Sequence, residues 1–223
     1  MSPDDSKRGT EREAALSRDA FLADAYFTPE QLWSFAEQIY HLHRAAPRRL
    51  IEVGVGNGFV SQFMRSMGIN VLTCDINPNL NPDLLVSVTD LDRHITPGEY
   101  DLISCCEVME HMPFEQFEEA MRKFSCLSEN LFLTLPVYGW KFGFALRLSL
   151  KSRVRWISRW FAWRSSSYTL IPMHYWEVGS QRETQHRRLL SVLNRYYGSV
   201  ESNIFRFNPY HRYYLCRGAK SVS

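Results

Sequence analysis

The chain has 223 residues, 45% of them hydrophobic and 22% charged, with a net charge of +2 at neutral pH. That length suits one substantial domain, or one domain with an insertion, and so small a net charge gives no bulk reason for a nucleic-acid partner. The five cysteines, Cys74, Cys105, Cys106, Cys126 and Cys216, include no C-x-x-C pair and are odd in number, which argues against a disulfide framework and a zinc site and for free thiols in a reducing cytoplasm.

The first residues, MSPDDSKRGTEREAA, are charged and lack the apolar core of a signal peptide. Residues 1–10 are expected to form a disordered polar tail, with residues 11–223 as a single domain. N-terminal helices are predicted within 11–46, over 11–25 and 30–45. In the second, Leu32, Phe35, Ala36, Ile39 and Leu42 recur at helical spacing, and Thr28 followed by Pro29 suits a helix start. The period then changes. Arg49–Gly54 reads as a buried strand ending at glycine, Phe59–Met67 as a helix, and Asn70–Cys74 as a second strand. Leu84–Val88 and Tyr100–Cys105 are predicted as the third and fourth strands, Phe114–Leu127 as a helix, and Leu131–Leu135 as the fifth strand. After an interruption at 136–176, Gln181–Tyr196 reads as a helix and Val200–Arg206 and Arg212–Cys216 as an antiparallel pair at the sheet edge. Strands alternating with helices imply an α/β fold with a parallel sheet covered on both faces. The longest apolar region, Leu131–Leu150, is interrupted by Pro136, Lys141 and Arg147, which a bilayer-spanning helix of about 20 residues would not tolerate. The expectation is a soluble cytoplasmic protein, at most peripheral to a membrane.

The chemistry concentrates at Glu52-Val53-Gly54-Val55-Gly56-Asn57-Gly58, a glycine-rich loop that follows a strand and opens a helix. Alone, such a loop is equally a tight turn with no ligand. Asp75, where the next strand ends, can accept hydrogen bonds from both ribose hydroxyls of an adenosine. Thr89-Asp90 follows the third strand, near where an adenine amino group would sit, and Cys106-Glu107-Val108-Met109-Glu110-His111 closes the fourth. The dinucleotide fingerprint G-x-G-x-x-G/A fails at Phe59, and the acidic Glu52 suits a positively charged, phosphate-free cofactor better than a pyrophosphate.

With LIEVGVGNG, CDINP, VTDLD, EYDLISCCEVMEHMP and LFLTLP in that order, residues 48–136 resemble the class I S-adenosylmethionine-dependent methyltransferases. They are most similar to the small-molecule group that includes the ubiquinone-pathway O-methyltransferases. The resemblance implies a Rossmann-like three-layer sandwich around a seven-stranded, mostly parallel sheet with an antiparallel last strand, and S-adenosylmethionine as cofactor. It implies that Glu52, Gly54, Gly56 and Gly58 shape the methionine side of the pocket and that Asp75 holds the ribose. Ile76 would flank the adenine, Asp90 would bind its amino group, and Glu107 would line the pocket near the methionine moiety.

His111 is a candidate general base, or else a residue that packs or caps the loop. His174-Tyr175-Trp176-Glu177 begins an H-x-W-E-x-G string similar to one in other small methyltransferases, which could set His174 and Trp176 over the acceptor; alternatively Trp176 plugs the core and Glu177 complements a helix dipole. No metal-ligand cluster is evident. Residues 137–176 form a basic, aromatic insertion without Asp or Glu, expected to act as a lid. Arg147, Lys151, Arg155 and Arg159, spaced by four, predict one helical stripe beside an apolar stripe of Leu146, Leu150, Val154, Ile157 and Phe161, with Trp156, Trp160 and Trp163 adding amphipathic rings. Peripheral membrane contact through 140–164 is a second role for it, and nucleic-acid binding ranks last. The expected partner is a small-molecule acceptor, at an oxygen of a lipophilic or carbohydrate compound. The competing function is a non-catalytic cofactor-binding scaffold on the same fold. Oligomeric state has no signature in the sequence.

Overall fold

The computed structural model describes residues 9–24, 26–151, 153–164 and 167–220, with the side chain of Leu150 left aside. Residues 1–8 of the expected tail lie outside the described residues. Gly9 and Thr10, expected within that tail, belong to the folded body instead. Gly9 is buried against the Tyr175 ring and the His111 carbonyl, and Thr10 opens a one-turn helix, α1, Thr10–Glu13. The helix expected over 11–25 is therefore reduced to α1 and a 3-10 turn at Arg18–Phe21. Neither element buries a residue, and the carbonyls of Glu13 and Leu16 are taken by the Asn77 side chain at 2.7 and 2.9 Å. Those carbonyls are the ones a longer helix would need for itself.

The next elements match the hydrophobic pattern closely. Helix α2, Pro29–Ala45, starts where the Thr28 hydroxyl accepts from the Gln31 N–H at 3.2 Å, and ends where Ala46 turns left-handed ahead of Pro47. Strand β1, Arg49–Val53, leads into helix α3, Phe59–Ser66, and then strand β2, Asn70–Asp75. Strand β3 is only Leu84–Leu85, shorter than expected. The Ser87 hydroxyl accepts from the Thr89 N–H and caps a 3-10 turn, Val88–Arg93, in place of further strand. Strand β4, Leu102–Cys106, helix α4, Phe117–Leu127, and strand β5, Asn130–Pro136, follow.

Past β5 the expected helical stripe is absent. Residues 140–163 form a two-stranded antiparallel ribbon, β6, Trp140–Leu150, and β7, Arg153–Trp163, separate from the main sheet. Chain returns through a bridge between Val137 and Val178 to helix α5, His186–Tyr196, which starts five residues later than predicted. Strands β8, Tyr197–Ile204, and β9, His211–Ala219, complete a seven-stranded sheet of order β3-β2-β1-β4-β5-β9-β8. Strand β9 runs antiparallel between β5 and β8, and the other neighbouring pairs are parallel. This is the Rossmann-like sandwich with an antiparallel last strand.

Strand alternation divides the core in two. Leu50, Val71, Leu102, Phe132 and Leu215 face Phe35 and Leu42 of α2 and Val60 and Met64 of α3. Ile51, Val53, Ile103, Cys105, Leu131 and Leu133 face the other way, onto Met121 and Phe124 of α4 and Leu189 and Leu193 of α5. Burying each such side chain is worth about 1.5–3 kcal/mol, so sheet and helices hold the strand ends rigidly.

Candidate active site

Strands β1, β2 and β4 are neighbours, and their carboxyl ends open on a cavity of about 790 Å³. The loop after β1 contributes Gly54, Val55, Gly56 and Asn57 to its wall. Gly54 sits at φ 85°, and a Cβ there would run into the Val108 side chain, so only glycine lets these two loops approach. Gly58 does not line the cavity; at φ 75° it forms the N-terminal cap of α3 and sets the turn. Asp75, at the end of β2, accepts from the Val55 N–H at 2.7 Å and the Asn77 N–H at 2.9 Å, so its carboxylate is pre-aimed at the cavity edge beside Ile76.

Asp90 departs from its expected position. Its carboxylate is paired with Arg93 at 2.8 Å and takes the Thr89 hydroxyl at 3.2 Å, and it does not line the cavity. The 3-10 turn that replaces the end of β3 rotates it outward, and Val86, Ser87 and Val88 line the wall instead.

The lining is strongly acidic. Glu13, Glu30, Glu52, Asp75, Glu107 and Glu110 all contribute, against a single arginine among the described lining residues, Arg12, which is paired with Glu13 at 2.9 Å. Glu52 is buried and its Oε2 has no hydrogen-bond partner; burial pushes its carboxyl up to about 8. Glu107 adopts a left-handed φ of 58°, a strained conformation for a residue other than glycine. That backbone turn brings its carboxylate to Gln38 Nε2 at 3.3 Å and His211 Nε2 at 3.1 Å. Burial would raise the Glu107 carboxyl, but the facing His211 holds it below the ordinary range. Tyr26 completes this region; burial, reinforced by the surrounding carboxylates, pushes its phenol up, so it stays a neutral donor.

At the other end of the cavity His111 and His174 meet edge to face, ring centroids 5.0 Å apart. His174 Nδ1 is held by the buried Glu177 carboxylate at 3.1 Å, which also takes the Tyr210 hydroxyl at 3.2 Å. Burial lowers the His111 imidazole to about 4, so the ring is neutral near pH 7, and its Nδ1 has no hydrogen-bond partner. Glu110 is 1% exposed, and burial raises its carboxyl well above the ordinary range. One ligating atom each from Glu110, His111 and His174 lies within 4.8 Å of the others, so among the described residues this trio could hold a divalent metal. Sequence spacing does not show it, because His174 comes from a distant segment.

Trp176 does not overhang the cavity. It is fully buried, donates from Nε1 to the Met112 carbonyl at 3.0 Å and packs edge-on against Phe114 and Phe117. Nor does Glu177 serve a helix terminus, since α5 begins at His186. Sequence reasoning also missed Glu13, Tyr26, Gln38 and His211. Gln38 alone carried a signal, as a polar side chain in the buried stripe between Phe35 and Leu42.

An open α/β sandwich with an acidic cavity at the carboxyl ends of its parallel strands defines a nucleotide-cofactor protein built for a cationic ligand. A family model described as a methyltransferase domain matches residues 30–190, and the chain belongs to that family, the class I S-adenosylmethionine-dependent methyltransferases. The ubiquinone biosynthesis O-methyltransferase of Xanthomonas euvesicatoria pv. vesicatoria (strain 85-10) is 33% identical over 82 residues, covering 30% of this chain and 34% of that protein. The chain thus matches about a third of the length of that curated relative. Among solved structures, N-methyltransferase NodS from Bradyrhizobium japonicum WM9, in complex with S-adenosyl-L-homocysteine, superposes with a TM-score of 0.55 at 13% identity, covering 96% of this chain and 97% of NodS. Magnesium protoporphyrin IX methyltransferase from Synechocystis PCC 6803 gives a TM-score of 0.52 at 13% identity, over 85% and 84% of the two chains. These likenesses concern the fold.

Proposed function

We infer that the cavity binds S-adenosylmethionine along β1, β2 and β4 and presents it to a small acceptor at the His111–His174 end. The observation that carries this reading is the lining itself: the Glu107 carboxylate, held below the ordinary range, Asp75, one neutralised arginine, and an unpartnered buried Glu52 carboxyl that a nearby cation would ionise. Such a surface favours a sulfonium and an ammonium and repels a pyrophosphate. When bound, the cofactor supplies a methyl group already activated by the positive sulfur. The protein's part is alignment and exclusion of water. Asp75 fits the ribose hydroxyls, Ile76 and Val88 the adenine, and Glu52, Gly54, Gly56 and Glu107 the methionine portion. The fit is one of charge and shape.

In this reading His174, held at Nδ1 by Glu177, receives the proton of an acceptor hydroxyl, and the neutral His111 ring beside it accepts a hydrogen bond from that hydroxyl, which suits methylation at oxygen on a lipophilic or carbohydrate compound. A lipophilic acceptor would also suit peripheral membrane contact of residues 140–164. The free thiols of Cys74, Cys105, Cys106, Cys126 and Cys216 suit a cytoplasmic location, and among the described residues no helix is long and apolar enough to cross a membrane.

Calorimetry with S-adenosylhomocysteine and NAD tests the cofactor assignment; tight binding of NAD in place of the sulfur nucleoside would sink it. His111→Ala and His174→Ala should each slow turnover of an acceptor found by panel screening while leaving S-adenosylhomocysteine affinity intact. Full activity in both would remove the base assignment. No turnover on any acceptor, with cofactor binding retained, would instead favour a scaffold that keeps the cofactor without using it.

A further inference from the structure

The ribbon β6–β7 has two faces of opposite character. Its register pairs Trp140 with Trp163, Phe142 with Phe161, Phe144 with Arg159, Leu146 with Ile157 and Leu148 with Arg155. Cross-strand partners share a face, so these residues form one surface. On it Phe142 is 78% exposed, Trp163 74%, Phe161 64% and Trp140 59%, with Phe144, Leu146, Leu148 and Ile157 also exposed. The opposite face is anchored. Trp160 Nε1 donates to the Arg206 carbonyl at 3.1 Å, Trp156 packs against Phe207 at 4.8 Å, and Phe207 rests on Trp33 of α2. The ribbon is therefore fixed to the body by one face, with its apolar face turned outward.

We propose that this outward face of β6–β7 docks on an anionic lipid surface, its aromatic and aliphatic side chains entering the headgroup–acyl boundary and its arginines meeting lipid phosphates. Charge selects this occupant. Arg153, Arg155 and Arg159 lie on the same face as the apolar side chains, with Lys151 at the turn, and residues 136–176 contain no Asp or Glu. A single positive sign interleaved with Phe, Trp and Leu matches an interface that offers phosphates and hydrocarbon within a few ångströms of each other. Arginine can bury its stem in the apolar layer and keep its guanidinium at phosphate level.

The same charge disfavours a second copy of this chain, since face-to-face pairing would bring two sets of arginines together.

The test is co-sedimentation of the whole protein with vesicles of phosphatidylcholine alone and of phosphatidylcholine with phosphatidylglycerol. Expected are binding to the anionic vesicles, little to the neutral ones, and a fall of at least ~10-fold in partitioning for Phe142→Ser/Phe161→Ser and for Arg155→Glu/Arg159→Glu. Both double variants should keep wild-type affinity for S-adenosylhomocysteine, which shows that they are folded and separates this result from any failure of the cofactor assignment. Absence of binding to anionic vesicles, or equal binding by the variants, overturns the proposal. So does a concentration-dependent dimer in sedimentation velocity that Phe142→Ser/Phe161→Ser abolishes, or preference for a single-stranded oligonucleotide over the vesicles.

Discussion

The seven-stranded sheet and the two-stranded ribbon are built from similarly apolar strands, yet they treat those side chains oppositely. In β1, β4 and β5, Leu50, Ile51, Ile103, Leu131 and Leu133 are all at most 1% exposed, each face covered by a pair of helices. In β6 and β7 one face is held by Trp156 and Trp160 and the other is left in the open. The lesson is that strand hydrophobicity serves stability only where a second layer covers it. The first region holds the strand ends that carry Glu52, Asp75 and Glu107. The second leaves its apolar face open.

Substitutions should separate the two regions by size of effect. Trp176→Ala, in the covered region, is expected to cost about 3–5 kcal/mol through the cavity it leaves, read as a lowered midpoint of chemical unfolding; a loss below ~1 kcal/mol would show that the plug is not part of the core. Asp75→Ala should weaken S-adenosylhomocysteine binding by roughly 10- to 100-fold, the range for losing hydrogen bonds to a charged group, and an unchanged calorimetric affinity would contradict its assignment.

Glu52 gives a pH signature confined to the first region. Its folded carboxyl, at about 8, lies above the 4.5 of an unperturbed glutamate. Between those values the unfolded state loses a proton that the folded state retains, so this contribution to stability falls as pH rises from about 5 to 8. Thermal melts of the ligand-free protein should show that decline, and Glu52→Gln should flatten it. A parallel decline in the variant would move the effect elsewhere. The smallest change is expected in the ribbon: Phe142→Ser, at a 78% exposed position, should shift stability by no more than about 0.5 kcal/mol. A loss as large as that of Trp176→Ala would mean the outer face is covered after all.

The covered region is also the one whose sequence is readable. A run such as Leu50–Val53 bounded by Gly54 has one reading, and Asp75 follows at the end of the next run. The rest of the cavity wall is different, because its parts are far apart in the chain: Glu13, Gln38, Glu110, His174 and His211 meet only after α2, β4 and β9 have packed. Asp90 shows a subtler limit, since a single serine cap at Ser87 was enough to turn it outward. The ribbon was misread for an arithmetic reason. A spacing of four lies along one side of a helix and equally on one face of a strand, because four is twice two; here the turn at Lys151 sends Arg147, opposite Trp156, to the anchored face and Arg155 and Arg159 to the open one. The deciding signal was the strict alternation Trp140, Phe142, Phe144, Leu146, Leu148, with Lys141, Gly143, Ala145 and Arg147 between.

Because Trp140 faces Trp163, the ribbon begins and ends at one place on the body. Residues could be added to or removed from both strands in register without moving either end or disturbing the sheet behind it, since lengthening a closed excursion costs little. Each added pair would extend its reach by about 3.3 Å. The fold thus separates two traits that evolution or an engineer could tune independently: how far the protein reaches from its own body, and what its cavity recognises.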